Sequence, residues 1–76
     1  MITVKLYGLL RIESGIREWQ IEAERTADVL EDLVMQGIHR KELKGCILLV
    51  NGKPGTKRMK LNDGDVVQLL SPVAGG

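Results

Sequence analysis

Residues 2–7, Ile2-Thr3-Val4-Lys5-Leu6-Tyr7, alternate apolar and mixed side chains with period two up to Gly8. That alternation predicts a β-strand. A second strand is expected over Arg17 to Ala23. There Trp19, Ile21 and Ala23 fall on one face, and Glu18, Gln20 and Glu22 on the other, which must meet water. Between them, Leu9 to Ile16 contains the turn pair Ser14-Gly15, so the two strands are expected to form an antiparallel hairpin.

The period then becomes helical, with Val29, Leu30, Leu33 and Val34 on one apolar face. Thr26 is a candidate N-cap, Asp28 with Glu31 offers a competing capping box, and Gly37 suits the left-handed turn after the last residue. Ile38 and Leu43 lead into Cys46-Ile47-Leu48-Leu49-Val50, an apolar run that reads as a central strand ended by Asn51-Gly52. Leu61 stands alone among polar residues as a core plug. Asp63-Gly64 marks another turn, and Asp65 to Leu70 is the last strand.

The order strand, strand, helix, strand, strand predicts an α+β fold, a mainly four-stranded sheet packed by one face on a single helix. The first and last strands are expected side by side. Parity then assigns the faces. Ile2, Val4, Leu6, Leu48, Val50, Val67 and Leu69 point inward, while Thr3, Lys5, Tyr7, Ile47, Leu49, Val66, Gln68 and Leu70 point outward. Four of the outward residues, Tyr7, Leu49, Leu70 and Ile47, would form an apolar patch of the kind that marks a binding surface.

At 76 residues, 43% hydrophobic and 28% charged, the chain has the balance of one small globular domain, expected over 1–71 with a tail over 72–76. Its formal net charge of +1 argues against a nucleic-acid partner. No apolar run approaches the ~20 residues that span a bilayer, and no signal segment precedes the first strand, so neither a membrane association nor secretion is expected. The single Cys46 and single His39 cannot make a Cys/His zinc site or an internal disulfide. The expected compartment is therefore the reducing cytoplasm.

The sequence closes on Gly75-Gly76 after a Ser71-Pro72 break. Two terminal glycines arise by chance in roughly 0.5% of chains. A pair without Cβ atoms can thread a channel too narrow for other residues and present the α-carboxyl of Gly76 at its end. The residues Ile2 to Tyr7 with Leu10-Arg11, the turn Val50-Asn51-Gly52, and the ending Leu61-x-Asp63-Gly64-Asp65-Val66-x5-Pro72-Val73-Ala74-Gly75-Gly76 resemble the small subunit of molybdopterin synthase. That family belongs to the ubiquitin-like sulfur carriers of the β-grasp fold. The most specific part of the likeness is Asp-Gly-Asp, a strand, then Pro-Val-Ala-Gly-Gly. Tyr7 and Leu70 stand where the family usually carries other aromatics, and Ser71-Pro72 where Pro-Pro is common.

The resemblance implies a carrier with no catalytic side chain and no bound cofactor or metal. An adenylating enzyme related to the ubiquitin-activating enzymes would use ATP to convert the Gly76 carboxylate to an acyl-adenylate. Sulfur would then replace the adenylate, giving a thiocarboxylate. The acceptor would be the molybdopterin synthase large subunit or another sulfur-accepting enzyme. Ser71 to Gly76 reach at most roughly 20 Å, and Pro72 keeps the tail from continuing the sheet. Arg11 matches the family's loop and is a candidate partner contact beside Tyr7, Leu49, Leu70 and Ile47. Thiamine formation, tRNA thiolation, or conjugation to lysines would use the same activation, and a plain interaction module is a further alternative.

Other residues carry weaker signals. Cys46 opens an apolar strand and reads as a small buried hydrophobe. His39 sits among charged residues with nothing spaced to make it a base. Lys53, Lys57, Arg58 and Lys60 form a basic run that reads as a solvated loop, or as a surface that steers an acidic partner. Gly52-Lys53-Pro54-Gly55 lacks the Gly-Lys-Ser/Thr ending and the following helix of a phosphate loop. Trp19, at helix-facing parity, reads as core.

Overall fold

The first strand, β1 (Ile2–Tyr7), and the last, Val66–Leu70, run parallel at the heart of one mixed sheet, with Thr3 opposite Val66 and Tyr7 opposite Leu70. The computed structural model describes residues 1–71. The expected tail, Pro72, Val73, Ala74, Gly75 and Gly76, lies outside the described residues. After β1 come a short helix α1 (Leu9–Ser14), β2 (Glu18–Ile21), α2 (Thr26–Met35), α3 (Arg40–Lys44), β3 (Ile47–Val50), β4 (Lys53–Pro54) and β5 (Val66–Leu70). The sheet order is β2-β1-β5-β3-β4, antiparallel except at the centre. This is the β-grasp arrangement expected from the sequence.

The alternation of β1 assigns its faces as expected. Ile2, Val4 and Leu6 are buried, as are Val67 and Leu69 of β5 and Leu48 and Val50 of β3. Against this face lies α2, through Val29 and Leu33, both without exposed surface. Each such side chain contributes roughly 1.5–3 kcal/mol by leaving water. Leu10, Ile38, Leu43 and Leu61 close the core at its edges. Leu61 is the expected plug, and its N–H donates to Glu24 O at 2.8 Å.

Four local expectations need correction. The segment Leu9 to Ile16 is not a simple hairpin turn: it coils into α1, which buries Leu10 and ends at Gly15 in a left-handed conformation. With Leu10 its single buried residue, six residues gave that helix too little periodicity to be read. The N-cap of α2 is Arg25, not Thr26. Asp28, three residues on, accepts from the N–H groups of Arg25 at 3.0 Å and Glu24 at 3.1 Å, which satisfies donors that open every helix. Three helices, not one, accompany the sheet. A fifth strand, β4, follows the Asn51-Gly52 turn, where both residues take positive φ as a tight hairpin requires.

Thr26 has a different task. It is completely buried, and its hydroxyl donates to Thr56 O at 2.8 Å while accepting from Met59 N–H at 2.9 Å. With Thr26 N–H donating to Met59 O at 2.9 Å, this stitches the 56–61 loop across the start of α2. Nothing in a period or a turn signal marks such a contact.

Candidate functional site

The four outward apolar residues fall on adjacent strands in register. Tyr7 of β1 lies opposite Leu70 of β5, which lies opposite Ile47 of β3, so the three form one row across the open face. In the next row, Lys5, Gln68, Leu49 and Pro54 follow one another. Gln68 Nε2 donates to the Tyr7 hydroxyl at 3.1 Å, tying the two rows together. Exposure is uneven: Ile47 is 55% exposed, whereas Tyr7, Leu49 and Leu70 are half-buried. The patch is therefore shallow, with Ile47 its most prominent side chain.

At the end of the Tyr7 row the chain passes toward the tail. Ser71 is clamped there: its Oγ accepts from Leu9 N–H at 2.7 Å and donates to Tyr7 O at 3.3 Å. Gly8 makes the clamp possible. Its backbone, φ 67° and ψ −141°, lies near a region that essentially only glycine enters. A Cβ built at Gly8 would also overlap the Ser71 hydroxyl. The tail origin is thus fixed to the corner between β1 and α1, a few ångströms from the apolar row.

Arg11 lies on the exposed side of α1 and lines an open cleft of about 300 Å³ with Lys5, Leu6, Tyr7, Arg17 and Glu18. Lys5 is within 3.8 Å of Glu18, and that pair is exposed, so it adds little to stability. No charged partner is within ion-pairing distance of Arg11 or Arg17 among the described residues. This edge of the open face is accordingly electropositive. The structure therefore brings Tyr7, Leu70, Ile47, Leu49 and Arg11 around the point where the tail begins. Gly76 and its neighbours lie outside the described residues.

The remaining chemistry-bearing groups are elsewhere. Cys46 Sγ donates to Glu42 O at 2.9 Å, and burial pushes its thiol up, so it is held as a thiol rather than a thiolate nucleophile. His39 is exposed at the start of α3, where its carbonyl receives the first helical N–H groups. Trp19 packs against the core half-buried, its Nε1 donating to Asp32 at 3.2 Å. Lys53, Lys57, Arg58 and Lys60 are all exposed. Among the described residues no group of three or more His, Cys, Asp or Glu is gathered as a metal site, and no helix is long and apolar enough to cross a membrane.

Sequence comparison finds a match to the ThiS family over residues 4–76, nearly the whole chain and through the terminal glycines. The chain belongs to the ThiS family. Its members are ubiquitin-like sulfur carriers, and the β-grasp sheet described above is their fold. No functionally curated protein matches the sequence. Among solved structures, one chain in the complex of subunits 1 and 2 of the molybdopterin-converting factor from Helicobacter pylori is 25% identical. That match covers 99% of this chain and 97% of that one, with a TM-score of 0.75. A putative molybdopterin-converting factor subunit 1 from Pyrococcus furiosus is also 25% identical, covering 95% and 97%, with a TM-score of 0.76. The small archaeal modifier protein 1 from Methanosarcina acetivorans is 26% identical, covering 99% and 95%, with a TM-score of 0.79.

Sequence reasoning missed Gly8 and Ser71 as one device. Gly8 was read as a strand end and Ser71 as part of a break. Their contact joins positions 63 residues apart, so no local signal could have coupled them.

Proposed function

We propose that this ThiS-family carrier cycles the α-carboxyl of Gly76 between carboxylate and thiocarboxylate, and that it serves molybdopterin formation. The observation that carries the reading is the family match through Gly76, on a chain whose last strand hands the tail off beside an open apolar row. A free α-carboxylate, with a pKa near 3.3–3.7, is an anion at neutral pH and resists nucleophiles. An activating enzyme transfers AMP from ATP to it, releasing pyrophosphate. A sulfur donor then displaces AMP, leaving sulfur in place of one carboxyl oxygen. In the accepting enzyme the thiocarboxylate gives up that sulfur, and water restores the carboxylate.

The chain's own residues position rather than catalyse. Tyr7, Leu70, Ile47 and Leu49 dock on the partner, Arg11 and Arg17 steer an acidic rim, and the Ser71 clamp aims the tail. The five residues after Ser71 have a maximum reach of roughly 17 Å, enough to enter a recessed active site. The molybdopterin destination is supported by the two molybdopterin-converting-factor neighbours, one of them solved as a complex of subunits 1 and 2. The archaeal modifier neighbour favours a second reading, in which a lysine amine attacks the same adenylate and an isopeptide bond results.

Incubation with ATP, a sulfur source and the activating enzyme, followed by intact and fragment mass spectrometry, tests both. An oxygen-to-sulfur increment localised to Gly76 is expected, and removing Gly76 abolishes it without changing the folded spectrum. Lysine-linked conjugates without any thiocarboxylate would select the modifier reading. No change at Gly76, with the activating enzyme competent on another carrier, overturns both.

A further inference from the structure

The side of the molecule away from the open sheet face carries a second surface that the tail chemistry does not use. A groove of about 260 Å³ runs between α2, α3 and the loop at 57–58. Its floor is apolar, formed by Ala27, Leu30, Val34 and Leu43; Leu43 is buried and the other three are half-buried. Its rim is basic: Arg40, Lys44, Lys57 and Arg58 face it, with Glu31 as the one acid.

Glu31 is already committed. Arg40 binds it through both guanidinium nitrogens, Nη1 to Oε1 at 2.8 Å and Nη2 to Oε2 at 3.1 Å, and this pairing draws the Glu31 carboxyl below its usual range. Lys44 and Arg58 have no acidic partner within ion-pairing distance among the described residues. Lys57 Nζ reaches only the Lys44 carbonyl, at 3.4 Å. The groove therefore concentrates three uncompensated positive charges in a chain whose whole formal net charge is +1. The wall that carries Lys57 and Arg58 is held in place by the Thr26 hydroxyl, bonded on either side of them at Thr56 and Met59.

We propose that this groove docks a short acidic segment of a partner protein, one or two apolar side chains seated on Leu30, Val34 and Leu43 and flanking carboxylates on Lys44, Lys57 and Arg58. The charge pattern selects that occupant. An apolar peptide alone would leave the three cations facing a desolvated edge, and a second copy of this groove would repel by like charge. Because α2 lies between this groove and the open sheet face, a partner can be held here while the tail and the Tyr7 row engage another protein. The site is independent of the sulfur chemistry, so its test does not depend on Gly76.

The full chain, labelled with ¹⁵N, is titrated with the synthetic heptapeptide DDELLED and with DDESSED, which keeps the charge and loses the apolar pair. Saturable amide shifts are expected at residues 27–34, 40–44 and 57–58 with DDELLED, weakening as salt rises. The serine peptide is expected to bind at least about tenfold more weakly. Lys57→Glu should weaken DDELLED about fivefold, whereas Lys53→Glu, an equal charge change on β4 outside the groove, leaves it within about twofold. Shifts centred on the open sheet face, equal losses from the two charge reversals, or no saturation up to about 1 mM overturn the proposal.

Discussion

The two faces of the central strand pair use similar residues for opposite ends. On the inner face Val4, Val67 and Leu69 are sealed under α2, with 0–1% of their surface exposed. On the outer face Tyr7, Leu70 and Ile47 sit in an equally regular row, with no helix packed over them among the described residues. Leu69 and Leu70 are neighbours in sequence and chemically identical. What separates them is the period of the strand, which sends one to the helix and the other to solvent. Apolar character by itself therefore does not distinguish stability from recognition in this fold. The distinction lies in which face the one long helix covers.

The sharpest way to break that comparison is to truncate the two leucines in turn. Leu69→Ala is expected to cost about 2–5 kcal/mol by leaving a cavity in a closed core. In a domain this small that lowers Tm by at least about 10 °C. Leu70→Ala should cost no more than about 1 kcal/mol yet weaken binding to the sulfur-accepting partner about tenfold, measured by calorimetry on the same samples. Equal losses of stability from both would mean that the outer row is structural and not a docking surface.

Next in size is the corner where the outer face releases the tail. Gly8→Ala forces a side chain into backbone space that only glycine tolerates and displaces the Ser71 hydroxyl, an expected loss of about 1–3 kcal/mol in denaturant unfolding. Ser71→Ala removes the clamp without the strain. About 1 kcal/mol is expected, because Leu9 N–H can turn to water at this exposed position. Sulfur transfer should fall more than stability does if the clamp aims the tail. A fall in stability alone would assign Ser71 to the fold.

The smallest effects are electrostatic and lie on the rim between the faces. Asp65 accepts from Asn62 N–H at 2.8 Å and Asn51 Nδ2 at 2.9 Å, and Asp63 pairs with the N-terminal ammonium. Both carboxyls are held below their ordinary range by those hydrogen bonds. The folded chain thus binds these protons less readily than the unfolded chain does. The resulting stabilisation is complete above the unfolded carboxylate range near ~4 and is lost as pH falls through the lower folded values. Asp65→Asn should flatten that acid limb of the Tm–pH profile.

Glu13 has the opposite sign. A hydrogen bond and charge repulsion from Glu42 hold its carboxyl above the usual range, so its ionisation opposes folding at neutral pH. Glu13→Gln should raise Tm slightly at pH 7 and change nothing well below pH ~4. A lower Tm at pH 7 would show that the Glu13–Glu42 pair stabilises the ionised form instead.

The sequence by itself determined the inner and outer faces of β1, whose apolar positions recur with period two, and strand parity carried the assignment to β3 and β5, where apolar residues stand on both faces. It also placed α2, the Asn51-Gly52 and Asp63-Gly64 turns, and the Gly-Gly ending that carries the family likeness. It left α1 and β4 illegible, since one is a six-residue helix with a single buried residue and the other two residues long with Pro54 in it. Only the tertiary structure decided the work of Thr26, Gly8 and Ser71. Their partners lie 30 to 64 residues away in sequence, and a hydrogen bond at that separation exists only after the sheet has closed. The basic groove has the same origin. Leu30, Leu43 and Arg58 stand apart along the chain, on α2, on α3 and in the loop after β4, and it is the packing of these helices and the stitched loop that makes them one surface.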